Sequence, residues 1–293
     1  MKPAGLLLVD KPEGPTSHDM IAIVRRAMGI RPVGHTGTLD PFASGLLLLC
    51  VGWATRLAEY LVPLPKLYRG IIRLGERTDT DDLTGTVVAR SDDWRGLGPD
   101  QVQRALDDQV GEIEQLPPAY SAKKLSGRRA YAVARAGGTP DLRTQRVTIR
   151  RLSLCEMSLP DLTVEIECSS GTYVRSLARD LGASLGVGGH VIGLRRLRVG
   201  EFEVEDALEL DRETPADLVC QRLRPPETAV THLERVELDD EDASSFSHGR
   251  PVALEAGEPQ GPMAVFAAGA LLAIGECRDG SLWPKKVFAS AIQ

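Results

Sequence analysis

The chain has 293 residues, 42% hydrophobic and 26% charged, with 35 Lys/Arg, 41 Asp/Glu and a net charge of −6. That length carries one large domain or two smaller ones around a sizeable core, which excludes a disordered scaffold or a collagen-like fibre. No apolar run approaches the roughly 20 residues of a membrane helix, and the five scattered cysteines contain no CxxC pair, so the chain reads as a cytoplasmic protein without a disulfide framework.

Residues 6–10 predict a short strand that ends in a Lys-Pro-Glu-Gly-Pro turn. Its apolar stretch is too short for a signal-peptide core. Ser17 is placed as the N-cap of a helix carrying Met20, Val24, Ala27 and Met28 at helical spacing, stopped by Gly29. A glycine-rich loop follows at 34–44, then a continuous apolar strand at 45–51. The pattern next gives a short helix at 54–62, a strand at 67–74 and a polar loop with three aspartates at 78–85. Residues 99–111 read as a helix ahead of Pro117-Pro118, and 127–136 as a basic helix. Strands are expected at 145–154 and 162–168, and a helix at 172–185 with one apolar face. Strands and helices interleave without a βαβ rhythm, which predicts an α+β fold with a mixed sheet. Beyond the Pro225-Pro226 linker, short strands at 251–254, 263–267, 271–277 and 282–288 predict a small all-β module. The division expected is 1–230 and 233–293.

Charge is unevenly placed. Residues 123–151 carry nine Lys/Arg against one acid, Asp141, while residues 233–293 have a net charge of −5. A basic strip is what a polyanion meets, although a solvated basic face has the same composition. No P-loop, GxGxxG, HExxH or GxSxG occurs. Asp79, Asp81, Asp82 and Gly85 superficially resemble a calcium loop, but the glycine and closing glutamate are misplaced, and no metal is expected.

The string Gly34-His35-Thr36-Gly37-Thr38-Leu39-Asp40-Pro41-Phe42-Ala43-Ser44-Gly45 is the most informative. Its glycines and proline fix a tight loop before a buried strand, and Pro41 holds Asp40 out of the α region. A carboxylate held beside apolar surface is paired, functional or capping a turn.

That string resembles the catalytic loop of the tRNA pseudouridine synthase B (TruB) family, whose members convert one uridine of the tRNA T-loop, conventional position 55, to pseudouridine. Other blocks resemble the family in the same order: Leu7-Leu8-Val9-Asp10-Lys11-Pro12-Glu13-Gly14, Lys66-Leu67-Tyr68-Arg69, the 75–85 loop, and Pro117-Pro118-Ala119-Tyr120-Ser121-Ala122-Lys123-Lys124 with 127–132. Cys168-Ser169-Ser170-Gly171-Thr172-Tyr173-Val174-Arg175 and His190-Val191-Ile192-Gly193-Leu194-Arg195-Arg196 complete it across about 200 residues.

The resemblance implies a pseudouridine synthase catalytic domain with a PUA-like RNA-binding module behind it. It implies Asp40 as the catalytic aspartate, Tyr68 as the active-site tyrosine and Arg175 as the aspartate's arginine partner. His35 would enter the T-loop in place of the flipped base, and Lys11, Tyr173 and Leu194 would line the pocket. Lys123, Lys124, Arg128 and Arg129 would grip RNA phosphates. Arg56 stands where some members have lysine.

The chemistry fits. Isomerisation breaks C1′–N1 and rejoins the base through C5, with no redox step and no cofactor. A carboxylate can attack or stabilise the sugar carbon, and a nearby guanidinium lowers its pKa and orients it. Arg175 falls in the first turn of a helix, where the dipole disfavours a cation unless an anion faces it. A tyrosine stacks on the uracil and moves a proton. The expected partner is the tRNA T-arm, met by a monomer without a membrane. The rivals are a tRNA-folding chaperone of the same fold without turnover and a retaining glycosidase, which needs two carboxylates roughly 5 Å apart.

Overall fold

The computed structural model describes residues 3–120, 142–254 and 261–288, and the backbone of 124–125 and 128–129. Two sheets organise them. The larger has ten strands. Its main path runs Leu208–Glu209, Gly5–Lys11, Ser44–Val51, Gly189–Val199, Lys66–Leu74, Asp161–Cys168, Gln145–Ser158, Gly111–Gln115. Most pairs are antiparallel, but Ser44–Val51 lies parallel to Gly189–Val199 and Gly5–Lys11 parallel to Leu208–Glu209. This is the mixed sheet that the uneven strand and helix order implied.

Alternation decides which side chains reach the core. On Lys66–Leu74 the even positions are buried, and the odd ones face outward. Tyr68 therefore lies on the core side with Ile72 and Leu74, in the cluster that also holds Leu39, Phe42, Val174, Leu177 and Leu194. The helix Val174–Ser184 presents Leu177, Ala178 and Leu181 to that cluster. Arg69 and Arg73, on the outer face, pair with Glu165 and Asp161.

Some expectations are corrected. Thr16, not Ser17, caps the helix Ser17–Met28, because Asp19 three residues on closes a capping box with it. The Ser17 hydroxyl instead donates to Leu39 O and accepts from Leu39 N, which ties the glycine-rich loop to the helix. The helix expected at 54–62 is a 3₁₀ segment, Gly52–Leu57, followed by one turn, Ala58–Leu61. Where a basic helix was expected, Arg128–Arg129 pairs antiparallel with Lys124–Leu125. The rest of 127–136 and Lys123 lie outside the described residues.

The C-terminal unit is a five-stranded sheet but not all-β, since Asp240–Ser247 is a helix capped by Asp239. Three acids in its first turn complement the helix dipole and account for part of the local negative charge. The two sheets share one apolar cluster, with Leu6, Leu48, Leu57 and Leu61 packed together with Phe266, Leu271, Ile274 and Phe288. Arg56 belongs to that seam, donating to Val287 O and stacking 4.8 Å over the Phe288 ring. Among the described residues no helix is long and apolar enough to cross a membrane.

Candidate active site

The glycine-rich loop reaches the sheet where two strands run parallel. Gly45 sits at φ +102°, and a Cβ there would lie 2.2 Å from the Arg196 carbonyl oxygen. Only glycine allows that approach. The Leu39 clamp by Ser17 and a backbone bond from Ala43 N to Asp40 O fix the turn that carries Asp40.

This loop forms one wall of a cleft of about 400 Å³. Asp40, Tyr68, Tyr173, Arg175 and Leu194 all line it. Arg175 is buried, whereas the Asp40 side chain keeps about a third of its surface exposed (34%). The Arg175 Nε is 3.0 Å from Asp40 Oδ2, and Nη2 donates to Asp40 Oδ1 at 3.1 Å. Nη1 donates to Asp82 Oδ2 at 3.1 Å and to Thr80 O, and Nη2 also reaches Tyr120 O. Four of the five guanidinium N–H groups donate hydrogen bonds, and Nε faces Asp40 in the ion pair. The helix-end position of Arg175 is balanced by two carboxylates, as its unfavourable dipole required.

Burial pushes the Asp40 carboxyl up from the ordinary aspartate range. Arg175 pulls it down, and Asp82 raises it further. The guanidinium lowers the carboxyl's pKa as expected, but desolvation outweighs it.

Asp82 was missed as a site residue. The sequence showed only a polar loop, yet Asp82 is buried, accepting from Thr80 Oγ1, Thr84 N and Thr84 Oγ1 behind Arg175. Asp81 pairs with Arg179, and Asp79 accepts from Thr86 N. Among the described residues no acidic or histidine group is arranged to hold a metal ion.

Lys11 and His35 do not line the cleft. Lys11 is fully buried, and its Nζ donates to Pro12 O, Pro15 O and Pro41 O, bracing the residue after Asp40. Burial lowers its pKa to about 8. His35 accepts from Gly37 N and meets His18 edge-on at 6.0 Å. Burial, with His18 and Arg196 nearby, holds its imidazole below the usual value. Tyr173 N donates to Gln115 Oε1, and Gln115 Nε2 donates to Tyr173 O, so a buried amide fixes the backbone next to Arg175. Lys66, Arg196 and Gln115 were not picked out for the site. Lys66 shares the buried face of its strand with Tyr68, a signal that period-2 reading contains.

The mixed sheet agrees with comparisons to known proteins. Residues 25–174 match the TruB family pseudouridylate synthase N-terminal domain. Residues 175–231 match the tRNA pseudouridylate synthase B C-terminal domain, and 235–288 the pseudouridine synthase II TruB C-terminal domain. A protein of Leifsonia xyli subsp. xyli named tRNA pseudouridine synthase B is 45% identical, covering 94% of this chain and 93% of its own. The protein of the same name from Thermobifida fusca is 44% identical, covering 98% and 99%. The solved structure of a Cbf5-Nop10-Gar1 complex is similar at a TM-score of 0.74 and 27% identity, covering 97% of this chain and 84% of that one. The chain belongs to the TruB family and is a pseudouridylate synthase.

Proposed function

We propose that the substrate is the T-loop of tRNA, at the uridine of conventional position 55, and that Asp40 is the group that meets the sugar carbon. The observation that carries this is the contrast across one ion pair: Arg175 is buried and shared by two carboxylates, while Asp40 keeps a solvent-facing carboxylate in a cleft shared with Tyr68. The tRNA named in the relatives supports the substrate class.

The target base leaves its stack and enters the cleft. Tyr68 stacks on it, and its hydroxyl is the candidate proton carrier. Tyr173 and Leu194 shape the walls. Arg175 opposes the desolvation of Asp40 and aims its carboxylate, and Lys11 holds the chain at Pro41. Lys124, Arg128 and Arg129 belong to the basic strip assigned to the RNA backbone, together with Lys123. A retaining glycosidase is disfavoured, because Asp40 is the one carboxylate among the described residues lining the cleft, with Asp82 behind Arg175.

The experiment is tritium release from a T-arm stem-loop labelled at C5 of uridine. Release by the wild type and its loss by roughly 10³ or more in Asp40→Asn is the expected result. Binding without release by the wild type identifies a chaperone instead. Asp40→Asn activity within about tenfold of wild type overturns the aspartate assignment.

A further inference from the structure

Two cations of the cleft have no counterion among the described residues. Lys66 and Arg196 line it, at 7% and 2% exposure. Arg196 lies directly opposite Tyr68 on the neighbouring strand, and Lys66 is two residues before Tyr68 on the same buried face. The Arg196 Nε donates to Leu46 O at 2.6 Å, and Nη2 donates to Gly37 O at 3.1 Å. Lys66 Nζ donates to Val62 O and Leu64 O, both at 2.6 Å. Among the described residues, neither forms an ion pair, and the third Lys66 N–H has no acceptor. Arg175, by contrast, is shared by two carboxylates. Arg196 also reaches the Tyr68 hydroxyl, so the two cations are met by carbonyls and a phenol but by no carboxylate among the described residues. Buried charges with neutral partners alone are costly unless an anion arrives to meet them.

We propose that Lys66 and Arg196 form an anion-holding wall that takes up the negative charge of the uracil ring during isomerisation, an inference that rests on the reaction assigned above. When C1′–N1 breaks, its electron pair goes to the base and spreads onto O2 and O4, while C1′ is taken by the Asp40 carboxylate. If a nucleophile instead adds at C6 first, the ring oxygen O4 gains the same charge. Rejoining through C5, loss of the C5 proton and protonation of N1 restore neutrality without another reactant. A preorganised cation beside the oxygens stabilises either charged species more than the neutral base. Backbone phosphates are the other anions of RNA. They stay at the solvent side of a flipped nucleotide, whereas these cations lie deep beside the stacking tyrosine.

Lys66 must be protonated to act. Burial lowers its pKa to about 8, with Arg196 pushing the same way and Cys168 opposing. The groups around it are Arg196, Tyr68, Cys168, whose thiol burial pushes up to about 11, and Asp40 with Arg175 across the cleft. The ammonium is present below pH 8 and lost above it, so the wild-type rate should fall on an alkaline limb near that pH.

The test is single-turnover tritium release, read separately from stem-loop affinity, for Lys66→Met and Lys66→Arg. Lys66→Met should lose about 10² in rate, the scale of one oxyanion donor, with affinity changed less than about threefold. Lys66→Arg should keep most of the rate and move the alkaline limb above pH 8, because guanidinium stays charged. If Lys66→Met fails to fold by circular dichroism, the limb of Lys66→Arg alone decides: an unmoved limb overturns the proposal. A Lys66→Met rate within about threefold of wild type, or a loss confined to affinity, overturns it too. Asp40→Asn separates the two readings, since it abolishes release whether or not Lys66 matters.

Discussion

Arg175 meets Asp40 at two points, Nε 3.0 Å from Oδ2 and Nη2 3.1 Å from Oδ1, while its remaining edge is held by Asp82. One guanidinium therefore divides its charge between two carboxylates 42 positions apart in sequence, one exposed to the cleft and one sealed behind it.

This division predicts the behaviour of Asp82→Asn. The like charge of Asp82 raises the Asp40 pKa, and its loss leaves Arg175 to Asp40 alone. The acidic limb of the rate profile should move to lower pH, since Asp40 then stays ionised further into acid. Its more neutralised carboxylate should also be a weaker nucleophile, so turnover should drop by about 10². Because Asp82 is 3% exposed, breaking the pair should also cost about 3–5 kcal/mol of stability. Rate against pH and urea unfolding check the two effects separately. An unshifted limb would show that the two carboxylates are not coupled.

Tyr68→Phe keeps the ring and removes the hydroxyl. Burial pushes the Tyr68 phenol up, with Arg196 pulling the other way. If the hydroxyl moves a proton, the rate should fall by about 10²–10⁴ with little change in affinity. A variant with normal turnover would leave Tyr68 as a stacking platform only.

The basic strip makes a separable prediction. Replacing Lys123, Lys124, Arg128 and Arg129 by alanine should flatten the logarithmic salt dependence of tRNA binding by roughly 2–3 units, at about 0.7–0.9 per phosphate contact. Turnover of bound RNA should hold. An unchanged slope would place the RNA on another surface.

The site was legible where chemistry is local and hidden where it depends on distant partners. Asp40 stands out because Pro41 and the glycines restrict its loop, and Tyr68 because it sits in an alternating strand. Asp82 did not, since 93 residues separate it from Arg175 and three aspartates in a polar loop look alike. Lys11 looked like a pocket cation but is spent on three carbonyls. The Gly189–Val199 strand was not read as one because three arginines, buried Arg196 among half-buried Arg195 and Arg198, interrupt its apolar period. The Asp240–Ser247 helix hid for a similar reason, its acidic first turn resembling a solvated charge run.

The C-terminal sheet tests the division of the chain most directly. On sequence, a chain cut near Thr231 is expected to fold and to work on a stem-loop, because the acidic module offers little to RNA. The packing argues otherwise. Phe288 is 2% exposed and lies 4.8 Å from the Trp53 ring, and Phe266, Leu271 and Ile274 join the cluster that covers Leu6, Leu48, Leu57 and Leu61. Lys286 pairs with Glu59 and donates to Arg56 O across the same seam. Each large side chain uncovered forfeits about 1.5–3 kcal/mol. A few of them approach the whole 5–15 kcal/mol that holds a domain together. The cut chain should therefore lose its cooperative unfolding transition, and its failure on a stem-loop would report unfolding rather than a lost RNA contact. Phe288→Ala in the full chain gives the cleaner reading. It should cost about 3–5 kcal/mol by urea unfolding while the folded fraction isomerises the stem-loop at the wild-type rate, because the seam lies under Trp53 and not in the Asp40 cleft. A cut chain as stable as the whole would show instead that the two sheets merely touch.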